Sequence, residues 1–321
     1  MESNKKKIIV IGSVGYDQKI LLDILLEEIP EIGGTKIANI EISLGGKGNI
    51  EAVACARTDG ETTFLGAVGE KDYDNLFKHF YDNNVTPILK KAKNVPSHTA
   101  CILIDKEKKH RIVVDPRAGN SLDKKFINSN IDIINKSSFI LLQLEIDFLT
   151  VNYIITNYKG KKTIILRPSP LQENQLERVR KLIKDLNYLI LNEGELGLIS
   201  GEETKTQEQI EAACDKIIKC YKPINVIVPI LDKGWLLWNR EKGKKIFQAY
   251  DVGNVIDKVG FIDCFIGVFA SFLSREYDID EAIRYANLAS SISSTREGTI
   301  TSLPNYNELR RYINIKLPNW E

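Results

Sequence analysis

Asp263 is the lone charge in VGFIDCFIGVFASFL (259–273), a stretch that is otherwise almost wholly apolar. Burying a carboxylate without a partner costs several kcal/mol, so the residue needs a task. Two suit it: accepting a proton from a reacting hydroxyl, or capping the helix that the apolar run begins. A second informative stretch is SLGGKGNIEAVACARTDG (43–60). There a Gly45-Gly46-Lys47-Gly48 turn runs into an Ala-rich helical segment, letting backbone approach a ligand where a Cβ would obstruct it. Taken alone, the turn reads more readily as a simple tight connection. Neither G-x-x-x-x-G-K-[ST] nor G-x-G-x-x-G occurs, which sets aside the two common phosphate-loop fingerprints. His79, His98 and His110 have no Ser, Cys or carboxylate partner at telling spacing, so packed or solvated roles suit them.

These residues must be positioned by the elements around them. Apolar, β-rich runs recur along the chain as KIIVIGS (7–13), TTFLGAVG (62–69), FILLQLE (139–145), KTIILRP (162–168), LNYLILN (186–192) and INVIVPI (224–230), each followed by an amphipathic or polar stretch. Strands apolar on both faces and separated by helices predict a parallel sheet covered on both sides. TKIANIEIS (35–43), TACILID (99–105) and HRIVVDP (110–116) alternate instead, which predicts a small accessory sheet with one exposed face. The expectation is a single domain over 1–321, with lid segments at about 17–44 and 98–116. KGWLLWNR (233–240) reads as a hairpin strand, with Trp235 and Trp238 packing more readily than stacking on a base.

Composition narrows the partners. Lys and Arg total 44 against 43 for Asp and Glu, a net charge of +1, so no nucleic-acid or membrane surface is expected to be read by charge. Small neutral or anionic ligands fit better. Five cysteines, Cys55, Cys101, Cys214, Cys220 and Cys264, are odd in number and lack metal-ligand spacing, which favours reduced thiols and a cytoplasmic location. The start, MESNKKKIIVIGSVGYDQK, reads as a first strand, and no apolar run is long enough to cross a bilayer.

Taken in order, the motifs are Gly12-Ser13 with Asp17, GGKG, LLQLE, Asn192 with Glu195, the Asp257-to-Gly267 segment D-x-x-G-x-x-D-x-F-x-G, and STREGT. The chain resembles the ribokinase-like (PfkB-type) carbohydrate kinases over nearly its whole length. The resemblance implies a three-layer α/β/α sandwich with a central, mostly parallel sheet and a small β-sheet lid. It also implies transfer of a phosphoryl group from ATP, with Mg2+, to a hydroxyl of a small sugar or sugar-like substrate. Asp263 would be the general base, at a helix start where Gly260, Phe261 and Ile262 hold the phosphate. Asp17, Gly45, Gly46, Lys47 and Glu145 would line the sugar pocket, the alternatives being turn, helix-start and cap roles. Asn192 and Glu195 would position Mg2+ and phosphate through water, or else form a capping pair. Asp257 and the Val259 carbonyl fall where relatives bind a monovalent cation such as K+. A homodimer through the lid is a further expectation.

The chain also departs from that pattern. Ile262 stands where a second glycine precedes the base, and a β-branched residue there is expected to handicap the phosphate cradle. Pro229 and Leu231 replace a Thr-x-Gly-like turn, Gly15 and Ile50 replace two sugar-binding asparagines, and Arg167 precedes Pro168 where Asn is usual. Asn49 is a candidate stand-in for a lost asparagine. The departures point to an acceptor other than free ribose, with Arg117 or Arg167 meeting an anionic group. The alternative is a weakly active or non-catalytic ligand-binding or regulatory relative.

Overall fold

The computed structural model describes residues 5–30, 34–107, 109–230 and 233–316. Leu231 lies outside the described residues. The strands of the first half are β1 (Ile8–Ile11), β2 (Gly15–Leu21), β3 (Asn39–Gly45), β4 (Thr62–Gly69), β5 (Thr86–Ala92), β6 (His98–Ile104) and β7 (His110–Asp115). Those of the second half are β8 (Phe139–Gln143), β9 (Thr163–Arg167), β10 (Tyr188–Ile190), β11 (Asn225–Pro229), β12 (Gly234–Asn239) and β13 (Gly243–Gln248). The helices are α1 (Lys47–Arg57), α2 (Tyr73–Asp82), α3 (Arg117–Asn120), α4 (Lys124–Ser129), α5 (Ile131–Lys136) and α6 (Phe148–Tyr158), then α7 (Leu176–Leu182), α8 (Glu193–Ser200), α9 (Gln207–Tyr221), α10 (Phe261–Ser274), α11 (Ile279–Ser294) and α12 (Tyr306–Lys316).

The large sheet runs β13-β12-β11-β10-β9-β8-β1-β4-β5. It is parallel from β11 through β5, and the β12–β13 hairpin adds an antiparallel edge. The all-apolar β1, Ile8-Ile9-Val10-Ile11, is completely buried. Its alternate side chains feed two cores: Ile8 and Val10 join residues of α1, α2, α10, α11 and α12 on one face, while Ile9 and Ile11 join those of α4 to α9 on the other. This is the three-layer arrangement expected from strands that are apolar on both faces.

The small sheet has the order β3-β2-β6-β7 and is mixed, because β2 pairs parallel with β6 while the outer pairs are antiparallel. Register places Asp17, Ser43, Ala100 and Val114 in one row on the inner face. The next row faces outward and carries Gln18, Ile42, Cys101 and Val113. The described strand β3 lies later than the 35–43 expected from alternation. Two strands were not foreseen. β2 hides behind the Gly-Tyr-Asp break, and β5 carries Pro87, Lys90 and Lys91, residues that belong to a sheet edge. Trp235 is buried and stacks on Phe265 of α10 at 3.7 Å between ring centroids, so packing is its role. No helix among the described residues is long and apolar enough to cross a membrane.

Candidate active site

The C-terminal ends of parallel strands share one edge of the sheet, where open α/β folds place ligands. Here the ends of β1, β8, β9 and β10 lead to Ser13, Glu145, Arg167 and Asn192.

Glu145, almost wholly buried, is the hub of one corner. Its Oε2 accepts from the Lys47 backbone N–H at 2.9 Å and from the Ser13 hydroxyl; its Oε1 accepts from Lys47 Nζ at 2.8 Å. Burial alone would push this carboxyl up, but Lys47, His98 at 3.9 Å and the donated hydrogen bonds outweigh it and hold it at about 2. Lys47 is raised in turn: burial would lower it, and Glu145 and Asp263 more than compensate. Gly46, at φ +94°, precedes α1 and turns the chain so that Lys47 can make both contacts.

Asp17 faces this corner from the inner row of the lid. A Cβ at position 45 would fall 2.1 Å from its Oδ1, so only glycine leaves space for that carboxylate. Among the described residues no hydrogen bond is donated to Asp17. Burial first, and then the charge of Glu145, raise it to about 6. The replaced asparagine positions are structural here. A Cβ on Gly15 would meet the His98 carbonyl at 1.8 Å, and Ile50 is buried in the core beneath Gly260. Asn49 is not a stand-in for either. Its amide donates to the Gly45 carbonyl at 3.2 Å and its Oδ1 meets His79 Nε2 at 2.8 Å, which ties it to the glycine turn. His79, lowered to about 4 by burial and then by Arg57, is a packed neutral partner in that tie.

A second corner forms at the start of α10. Gly260, at φ +81°, is the N-cap, so Asp263 is the third helical residue and the capping alternative for it falls. Ile262 takes no positive φ, and its side chain, 3% exposed, packs into the core. The backbone strain expected at Ile262 is therefore absent: the positive φ of the turn falls on Gly260. The first N–H groups of a helix have no partner within it, which leaves those of Ile262 and Asp263 for a ligand. Across the sheet edge Asn192 and Glu195 form a capping box on α8: Asn192 Oδ1 accepts from the Glu195 N–H at 2.7 Å, and Glu195 Oε2 from the Asn192 N–H at 2.9 Å.

Between the corners lies a buried cluster not foreseen as such. Asp263 accepts from Arg167 Nη1, and Glu51 of α1 accepts from the Gln143 amide. Register sets Gln143 beside Arg167 on β8 and β9. Glu51 Oε1, Gln143 Oε1 and Arg167 Nε are buried without partners. Burial, and then the charge of Asp263, push Glu51 well above the carboxylate range. Burial also raises Asp263, against the pull of Arg167 and Lys47. The signal for Glu51 was present in IEAVACA, where it is the lone charge in an apolar run, as Asp263 is in its own. Arg117 is spent elsewhere, donating to Asp115 at 2.7 Å on the surface.

Asp257 receives Lys19 Nζ at 2.8 Å and the N–H groups of Val259 at 2.8 Å and Gly298 at 3.4 Å. The corner expected to take K+ therefore already holds an ammonium, and its donor set does not fit a bare monovalent cation as it stands. Among the described residues no three carboxylate, His or Cys side chains gather as a direct metal cage. The Asn192–Glu195 pair fits a metal that keeps most of its water and rides on phosphate, as Mg2+ does.

The pfkB family carbohydrate kinase model matches residues 5–306. A ribokinase of Dictyostelium discoideum is 30% identical, over 96% of this chain and 100% of its own. A deoxyribokinase of Salmonella typhi is 28% identical, over 96% and 99%. Among solved structures, a Giardia lamblia ribokinase superposes with a TM-score of 0.86 at 23% identity, covering 97% of this chain and 99% of its own. An Arabidopsis thaliana ribokinase complexed with ribose and ATP gives 0.84 at 22%, covering 97% and 100%. This chain belongs to the pfkB family of carbohydrate kinases.

Proposed function

We propose that this carbohydrate kinase uses ATP to phosphorylate a hydroxyl of a small sugar or sugar-like acceptor, with Asp263 as the base. The observation that carries the reading is the place of Asp263. It sits at the start of α10, within electrostatic reach of Lys47, Glu145 and Asp17 on one side and in contact with Arg167 on the other. Acceptor hydroxyls donate to Asp17, to which no described residue donates, and to the ionised Glu145, while Gly45, Gly46 and Lys47 form the pocket wall. The backbone at Gly260, Phe261 and Ile262 cradles phosphate at the helix start. Asn192 and Glu195 hold water around the nucleotide phosphates, and Mg2+ bound there would neutralise part of their charge. The carboxylate of Asp263 takes the acceptor proton as the acceptor oxygen attacks.

The replaced asparagines argue for an acceptor other than free ribose, since each net hydrogen bond lost is worth about 0.5 to 1.5 kcal/mol. On the lid, Ile40, Ile42 and Val113 leave an exposed apolar outer face, which we assign to a second copy of the chain; sedimentation tests this as a dimer. The function itself is tested by an ATP-consumption screen with Mg2+ over pentoses, hexoses, their phosphates and nucleosides. Turnover of one class supports the reading. No turnover, with no nucleotide binding at millimolar concentration, would contradict it and leave a ligand-binding role.

A further inference from the structure

The departure at Arg167 is the most consequential in the chain. Strand order puts β9 between β8, which leads to Glu145, and β10, which leads to Asn192. Arg167 therefore ends the strand at the seam of the acceptor and phosphate corners. Its side chain is only 10% exposed. One nitrogen donates to Asp263, while Nε is buried with no partner among the described residues. A buried donor left unmade is costly, and a guanidinium fork presents five donors. With Asp263 in contact and Glu195 and Glu51 within electrostatic reach, the fork still has an unused donor, Nε, for a further anionic oxygen. Lys47, the cation on the acceptor side, is already spent on Glu145.

We infer that Arg167 binds the transferring phosphoryl group, resting on Asp263 in the free protein and turning its fork to the γ-phosphate when Mg2+-ATP enters. This rests on the phosphotransfer reading above. The consequence is ordered chemistry. Arg167 offsets part of the basicity that burial gives Asp263, so Asp263 gains its full basicity only once the donor has drawn Arg167 away. The acceptor oxygen then forms its bond to phosphorus and its proton passes to Asp263. The bond from phosphorus to the bridging oxygen breaks, and that electron pair leaves with ADP. Arg167 offsets the charge gathered on the equatorial oxygens, a service that arginines supply in cis or in trans in other phosphoryl transfers. Backbone N–H groups at the α10 start contribute only partial charges to the same end.

The test compares binding of the Mg2+ complexes of ADP and of the β,γ-imido analogue of ATP by calorimetry. Wild type should prefer the triphosphate analogue by about tenfold or more, the scale of a charge-assisted hydrogen bond. Arg167→Gln should lose that preference while its affinity for ADP stays within about twofold, and Arg167→Lys should keep part of it. Arg167→Gln/Asp263→Asn removes both charges together and serves if the single variant does not fold. An unchanged preference in the folded variants overturns the inference. So does weaker binding of ribose 5-phosphate alone with the preference intact, which would make Arg167 a reader of an anionic acceptor. If wild type binds neither nucleotide, the phosphotransfer reading falls as well, whereas loss of the preference effect alone leaves it standing.

Discussion

The acceptor corner and the phosphate seam use the same chemistry, a carboxylate against a cation, and finish it differently. At Glu145 both oxygens are occupied, by the Ser13 hydroxyl and by both nitrogens of Lys47. At Asp263 one contact to Arg167 is made, while Arg167 Nε, Glu51 Oε1 and Gln143 Oε1 stay unpaired. A closed network holds its shape before ligand arrives; an open one stores donors and acceptors that a ligand can complete. The acceptor corner is thus a preformed wall. The seam is where movement and chemistry are expected.

If the Glu145 corner is a structural closure, Glu145→Gln should break it hardest, leaving the half-buried Lys47 without its counter-charge at a cost of up to about 3 kcal/mol. Chemical denaturation reads this directly, and a loss below about 1 kcal/mol would mean that the corner is not a closed network. Ile262→Gly sharpens the seam side. Because Ile262 fills core space, the variant should lose about 2 to 5 kcal/mol for the cavity and gain no turnover. A faster enzyme would show that the side chain does obstruct the cradle.

That second expectation reverses the one drawn from sequence, and the reason is instructive. The GFID run reveals that a glycine is replaced, but not which residue bears the positive φ; the turn takes it at Gly260, so a β-branched residue at 262 meets no backbone strain there. Where local pattern decides structure, the reading was close. The apolar runs became the parallel strands, and Lys47, Glu145 and Asp17 lie at one corner of the sheet edge. What escaped depended on long-range pairing. Glu51 meets Gln143 across 92 residues, Lys19 meets Asp257 across 238, and Gly15 is forced by the close approach of the β6 backbone. No spacing rule links such pairs before the sheet is assembled.

Asp17 offers a subtler probe of the acceptor side. Its carboxyl titrates at about 6 in the folded chain, above the ordinary range. Its contribution to stability is therefore present below about pH 4 and lost as pH rises through 6, because the folded state holds the proton longer than the unfolded one. Acceptor hydroxyls need the ionised form, so kcat/KM should fall about tenfold per pH unit below 6, and Asp17→Asn should flatten that limb. A limb that survives in the variant would assign the titration elsewhere. The smallest effect concerns the cation corner. With Lys19 resident on Asp257, exchanging K+ for a bulky organic cation should alter turnover by less than about twofold at constant ionic strength. Strong K+ activation would show that Lys19 gives way.

The central claim is that Asp263 takes the proton. The most direct measurement is the turnover of Asp263→Asn with the accepted sugar at saturating Mg2+-ATP, beside its binding of both ligands. The account predicts a fall of about 10²- to 10⁴-fold with binding retained; turnover equal to wild type would contradict it.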